Sequence, residues 1–204
     1  MSQSKRVIAI TGGIGSGKSA VCEILSDWGY PVINCDELGK EVSEYPSVLQ
    51  KISDSFGKGF VINGKLERKK LAEYVFKEQS RTDKLNEIFH TEIGELLKIK
   101  LSLFSSLVFV EVSVPKSLPN GIVDEIWEVK ADLETRKKRI MFRDNIRIDQ
   151  IHDIMSRQNY SVEADVVIDN NGYIEDLKLK LKDLLSDMGE NQKIFNIEEN
   201  EKAE

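Results

Sequence analysis

Apolar residues along this chain fall into two patterns. Short, continuous runs rich in valine and isoleucine recur at 6–11, 32–36, 107–112, 126–129 and 165–169. Runs of that length without polar alternation predict strands covered on both faces. Between them the spacing becomes helical. Ala20, Val21, Ile24, Leu25 and Trp28 share one face, and Val48, Ile52 and Phe56 stand four apart. Residues 46–104 read as mainly helical. Gly57-Lys58-Gly59 interrupts that block and Asn63-Gly64 predicts a turn. A further helix is predicted from Leu66, with Leu71, Val75 and Phe76 inward, and Leu85, Ile88, Phe89, Ile93, Leu96, Leu97 and Leu101 extend the pattern. Ile148, Ile151 and Ile154 predict a short helix, and Ile174, Leu177, Leu181, Leu184, Leu185 and Met188 a last amphipathic one. Strands separated by helices predict an α/β fold, a five-stranded parallel sheet with helices on both faces.

The junction of the first strand and first helix carries the strongest chemical pattern. Gly12-Gly13-Ile14-Gly15-Ser16-Gly17-Lys18-Ser19 is a glycine, four residues, then Gly-Lys-Ser, placed between a strand and a helix as a phosphate-binding loop requires. Such a loop converges its N–H groups on an anion, and the helix behind it adds its positive end. Gly13, Ile14, Gly15, Ser16, Gly17, Lys18, Ser19 and Ala20 are therefore the expected nucleotide contacts. Lys18 is placed to neutralise β- and γ-phosphate oxygens and the Ser19 hydroxyl to ligate Mg²⁺. A glycine-rich turn with no ligand is the plain alternative, and four glycines followed by Lys-Ser in this context argue against it.

Three further places gather charge. Asp36 ends the second predicted strand, facing the crevice where parallel sheets bind ligands, although aspartate there also serves as a helix N-cap. Glu111 lies in the third, either holding a Mg²⁺ hydration shell or meeting solvent as a strand-end carboxylate. Asp132 is expected to cap a helix running through Arg143. Arg136, Lys137, Lys138, Arg139, Arg143 and Arg147 then face only Asp144. A charge run is commonly a solvated helix face; beside a phosphate loop, Arg139 and Arg143 become candidates to stabilise a transferring phosphoryl group. His90, alone at a helix junction, reads as structural rather than catalytic.

Composition narrows the setting. The net charge of −6 argues against a general nucleic-acid binder. Residues 187–204 hold six acids against Lys193 and Lys202, so −4 sits in that stretch and −2 in the rest. No apolar run reaches membrane-span length, and Met1–Lys5 leads straight into the first strand, so neither a signal peptide nor a membrane partner is expected. Cys22 and Cys35 offer no disulfide framework, which fits a reduced, cytoplasmic location. Residues 1–189 are expected to form one domain around the phosphate loop, with a helical insertion at 58–104 over the substrate side and a basic lid at 136–150 that excludes water. The acidic stretch 190–204 is expected to be a disordered tail. A monomer is the expected state.

Taken together, the chain resembles the dephospho-coenzyme A kinase family over residues 6–186. The resemblance is carried by Thr11 through Ser19, Asp36, Leu66-Glu67-Arg68-Lys69-Lys70-Leu71 with Val75-Phe76, His90, Arg139, Arg143-Asp144, Gln158, and Asp165-Val166-Val167-Ile168-Asp169-Asn170-Asn171-Gly172. It implies a P-loop kinase fold, ATP and Mg²⁺ as cofactors, and transfer of the γ-phosphate to the ribose 3′-hydroxyl of dephospho-coenzyme A, the last step of coenzyme A synthesis. It further implies that Asp36 orients or deprotonates that hydroxyl, that Arg139 and Arg143 meet the transferring phosphate, and that adenine lies near Asn170 and Asn171. Arg68 and His90 are implied to contact the acceptor.

This chain departs from the family's pattern at several points. Asn34 stands where the first acid of an Asp-x-Asp is usual, and Ser113-Val114-Pro115-Lys116-Ser117 replaces a Pro-Leu-Leu-Phe-Glu run. Thr91 follows His90 where proline is common, Ala20 follows Ser19 where threonine is common, and the segment from Gln158 to Ala164 is several residues short. Two other readings follow from these features: another small-molecule kinase of this architecture, with a nucleoside or shikimate-like acceptor, or a nucleotide-binding module without catalysis.

Overall fold

The computed structural model describes residues 5–144, 155, 162–190 and 194. Its strands, in chain order, are β1 (Val7–Thr11), β2 (Val32–Asn34), β3 (Val61–Ile62), β4 (Lys65–Leu66), β5 (Val108–Glu111), β6 (Glu125–Lys130) and β7 (Val166–Asp169). The helices are α1 (Lys18–Asp27), α2 (Cys35–Val42), α3 (Pro46–Phe56), α4 (Arg68–Val75), α5 (Gln79–Ser102), α6 (Leu133–Asp144) and α7 (Ile174–Asp187). Five strands form one parallel sheet in the order β2-β5-β1-β6-β7. The predicted α/β class and strand count hold.

Period-two alternation within the apolar runs divides the core into two layers. Val7 and Ala9 of β1, with Val108 and Val110 of β5, face one side, where they meet Leu38 of α2, Val48 and Ile52 of α3, Leu71 of α4 and Leu97 of α5. Ile8 and Ile10, with Phe109 and Trp127, face the other and meet Val21 and Leu25 of α1 and Leu177, Leu181 and Leu185 of α7. Tyr30 stands edge-on to Phe109 with ring centroids 5.6 Å apart. Each fully buried side chain of this size contributes about 1.5–3 kcal/mol relative to exposure. Such strands disfavour polar side chains, and apart from Glu125 and Glu128 of β6 the acids and amides of the sheet, Asn34, Glu111 and Asp169, stand at its carboxyl edge. That edge is where the phosphate loop leaves β1.

Two boundaries differ from the sequence reading. The helix predicted from Leu66 begins at Arg68, because Leu66 pairs with Val61 in the β3–β4 hairpin around Asn63-Gly64. Strand β2 stops at Asn34, and Asp36 lies inside the first turn of α2. The predicted helix around Ile148, Ile151 and Ile154, most of the lid beyond α6, and Gln158 lie outside the described residues. Among the described residues, no helix is long and apolar enough to cross a membrane.

The acidic stretch is tied to the body where it begins. The Tyr30 hydroxyl donates to Glu190 Oε2 at 3.3 Å, and Ile194 packs against the layer that contains Trp28 and Tyr30. Burial, and then the neighbouring Glu190 carboxylate, push the Tyr30 phenol well above its ordinary pKa. Deleting residues 190–204 removes both contacts. The melting temperature is expected to fall by about 2–4 °C, equivalent to about 1 kcal/mol in a chain of this length. An unchanged melt would show that neither contact stabilises the fold.

Candidate active site

The site is built around the turn from β1 into α1. Gly17, at the N-cap position of α1, holds φ at 97° with no side-chain cap. An L side chain resists that conformation, and a Cβ there would collide with the Asn170 side-chain amide. The N–H groups of the first helical turn are thereby left open for a ligand.

Two of the loop's carbonyls are held by side chains from outside the loop. Arg136 Nε donates to the Ile14 carbonyl at 2.8 Å. The Ser16 carbonyl accepts from Asn170 Nδ2 at 2.9 Å and from an Arg139 guanidinium nitrogen at 3.2 Å. In a trans peptide the C=O and the following N–H point in opposite directions. Fixing the Ile14 and Ser16 carbonyls against α6 and Asn170 therefore turns the Gly15 and Gly17 N–H groups the other way. Gly15 also has to be glycine for contact: a Cβ would lie 2.8 Å from the Arg136 carbonyl. Ala20 packs its methyl into the core layer behind α1.

Lys18 Nζ donates to the Gly12 carbonyl at 2.8 Å, folding the lysine back along the loop. Burial pushes its ammonium below the ordinary pKa, while Glu111 and Asp36 act in the opposite direction. Ser19 Oγ donates to Glu111 Oε1 at 2.8 Å. The second Glu111 oxygen accepts from Asn34 Nδ2 at 2.7 Å. Asn34 Oδ1 accepts in turn from the backbone N–H groups of Asp36 and Glu37, at 2.8 and 3.2 Å, so Asn34 and not Asp36 is the N-cap of α2. The Asp36 carboxylate is exposed and not used for capping.

A cavity of about 500 Å³ gathers these groups: Lys18, Ser19, Asp36, Glu111, Arg139 and Arg143 all line it, with Phe142 at 95 % exposure on the α6 side. A second cleft of about 310 Å³ shares Asp36 and extends under α4 and α5, where Leu71, Phe76, Leu85 and Phe89 give it an apolar wall. Arg68 and Lys40 also line it, and Arg68 donates to the Ser43 hydroxyl at 2.6 Å. His90 stands on the exposed face of α5, with partial desolvation lowering its imidazole pKa. Its neighbour Phe89, rather than His90, faces the cleft.

The amides after β7 are already engaged. Asn170 is buried against the Ser16 carbonyl, and Asn171 Oδ1 accepts from the Asp132 N–H at 2.8 Å, tying the turn before α6 to the end of the sheet. Asp132 caps α6 as expected, accepting from the Thr135 N–H at 2.7 Å. Burial raises the thiol pKa of both cysteines, Cys35 to about 12, which leaves them unreactive.

Sequence reasoning missed Arg136, which appeared only as one cation in a basic run, and the role of Asn34. A signal for Asn34 was present. Asparagine two residues before an acid at the start of an amphipathic stretch is a cap pattern, obscured by reading the strand through to Asp36.

Residues 6–176 match the family model for dephospho-CoA kinase. A dephospho-CoA kinase from Fusobacterium nucleatum is 36% identical over 184 residues, covering 86% of this chain and 95% of its own. A crystal structure of a Thermus thermophilus protein superposes with a TM-score of 0.78 at 32% identity, covering 91% of this chain and 98% of that one. The dephospho-CoA kinase of Campylobacter jejuni shares the fold, with a TM-score of 0.57 at 24% identity, covering 90% and 97%. By its phosphate loop, its parallel sheet and the match over most of its length, this chain belongs to the dephospho-CoA kinase family.

Proposed function

We propose that this protein transfers the γ-phosphate of ATP to the ribose 3′-hydroxyl of dephospho-CoA, with the chemistry in the 500 Å³ cavity and the acceptor in the adjoining cleft. One observation carries the reading. Lys18, Ser19, Asp36, Glu111, Arg139 and Arg143 come from four different places in the chain and line one cavity, and Asp36 is the residue common to both clefts.

The division of labour follows from the chemistry of a loose phosphoryl transition state, where catalysis is mainly positioning and charge stabilisation. The phosphate loop holds the nucleotide's phosphates through the N–H groups of Gly15, Gly17 and the first turn of α1. Lys18 exchanges the Gly12 carbonyl for phosphate oxygens, a better partner for a partly buried ammonium. Arg139 and Arg143 approach the transferring group from α6. Asp36 accepts the hydroxyl proton of the acceptor. In the adjoining cleft Arg68 and Lys40 supply positive charge for the acceptor's phosphates, and Phe76 and Phe89 supply apolar contact. The helical block at 58–104 covers the acceptor, and α6 brings Arg139 and Arg143 to the nucleotide's side of the cavity.

The residues also suit Mg²⁺. Ser19 Oγ and Glu111 Oε1 are hard oxygen donors 2.8 Å apart. Two protein oxygens leave the rest of such an ion's shell to water and phosphate. Ser19 and Glu111 would hold the ion, which would supply charge neutralisation for the nucleotide's phosphates.

The decisive assay is ADP release in the presence of dephospho-CoA, nucleosides or shikimate. Turnover with dephospho-CoA alone is expected; equal turnover with a nucleoside or shikimate would reassign the acceptor, and ATP binding without turnover of any would leave a binding module.

Two substitutions separate the roles. Lys18→Ala is expected to fold normally and lose at least about 10²–10³-fold in turnover, because the developing charge loses its fixed cation. A folded variant with near-normal turnover would refute the assignment of the loop. Asp36→Asn preserves size and, because Asn34 is the cap, disturbs no capping bond. Turnover with dephospho-CoA is expected to fall by about 10²–10⁴-fold, with ATP affinity within about two-fold of the original. Full activity in this variant would place the base elsewhere.

A further inference from the structure

We infer that Asn34 is a positioning residue for phosphoryl transfer, acting by fixing Glu111 and the first turn of α2 to one another; this rests on the proposed reading of the larger cavity as the transfer site. The register of the sheet creates the opportunity. Asn34 of β2 and Glu111 of β5 are paired across neighbouring parallel strands, each at the carboxyl edge. The amide then does two things at once. Its Nδ2 donates to Glu111 Oε2 at 2.7 Å, and its Oδ1 accepts from the N–H groups of Asp36 and Glu37. The remaining Glu111 oxygen is held by Ser19 at 2.8 Å. Glu111 is thus gripped from α1 on one side and from β2 on the other, and the helical turn that presents Asp36 hangs from the same amide.

The partners dictate which way the amide faces. Reversed, it would set its NH₂ against two backbone N–H groups and its oxygen against a carboxylate. They also dictate the residue type. The position needs an acceptor for backbone donors and a donor for a carboxylate, within one short side chain. Aspartate caps equally well but turns a second carboxylate on Glu111. Serine caps and is too short to span the gap. Only asparagine does both, and it does so without a cation between the two strands. The departure from an Asp-x-Asp pattern at this position is therefore a built connection. Its consequence is that the acceptor's base and the Ser19–Glu111 oxygen pair keep a fixed relation, which matters because displacements of about 1 Å are felt strongly in turnover.

The test compares Asn34→Ser with Asn34→Ala in the full chain. Serine retains the cap and loses the bond to Glu111; alanine loses both. For Asn34→Ser the melting temperature is expected within about 2 °C of the parent and the ATP dissociation constant within about two-fold. Its kcat for ADP release is expected to fall about 10-fold or more. Asn34→Ala is expected to show the same loss of kcat together with a melting temperature lower by about 2–4 °C. In a Glu111→Ala background, Asn34→Ser is expected to cost nothing further, because the two residues act as a unit. Parent-like kcat in Asn34→Ser would overturn the proposal and leave Asn34 as a cap. So would an undiminished Asn34→Ser loss in the Glu111→Ala background. ADP release is measured both with dephospho-CoA and with water as the acceptor. A parent that releases ADP only to water would overturn the acceptor assignment, while the same comparison of variants still decides the role of Asn34.

Discussion

A loop that binds an anion through its own N–H groups has to send its carbonyl oxygens somewhere else. Here the Ile14 and Ser16 carbonyls go to Arg136, Arg139 and Asn170. These side chains come from the two segments that follow β6 and β7, so the phosphate loop is shaped by the far half of the sheet rather than by its own sequence. Glycine makes the required backbone angles available; it does not select them, because an unrestrained glycine-rich segment samples many. The selection comes from donors placed behind the loop. Those donors are in turn positioned by Asp132, which caps α6, and by Asn171, which ties Asp132 to the strand beside it.

The same principle governs the charges. Lys18 is partly buried and its ammonium is disfavoured there, yet Glu111 and Asp36 keep it in a field of opposite sign. Its bond to the Gly12 carbonyl satisfies the ammonium without a phosphate present. A site arranged in this way enters binding with its cation already aligned, and little rearrangement is needed when an anion replaces a carbonyl. Arg139 and Arg143 sit on α6, Arg139 half-buried and Arg143 exposed.

Much of this architecture was legible in the sequence because the determining interactions are local. Continuous apolar runs gave five strands, and Ile8 and Ile10 against Val7 and Ala9 even encode the two core layers. The loop motif, Lys18, Ser19, Asp36, Glu111 and the two arginines came together as their positions at strand and helix ends implied. What stayed hidden depends on partners far along the chain. Leu66 carries a helix-like pattern and becomes a strand residue because Val61 lies opposite. Glu190 and Ile194 belong to a stretch whose composition resists folding, yet Tyr30 and the adjacent core layer give them contacts that composition does not express. Arg136 was indistinguishable from its basic neighbours because its role lies in a single bond across 122 positions of sequence.

Asn34 shows why a departure from a family pattern should be read through its neighbours. As a sequence difference it is the loss of an acid near a site that handles phosphate, which suggests weakened chemistry. Within the fold, the position faces a carboxylate on one side and two unpaired helix N–H groups on the other. An acid meets only the second demand unless a cation or a proton is shared with Glu111, since two carboxylates in contact repel. The amide meets both with no further partner. The link between β2 and β5 is therefore a hydrogen-bonded one that is complete within the protein. Glu111 and Asp36 are then the two carboxylates lining the cavity with Lys18.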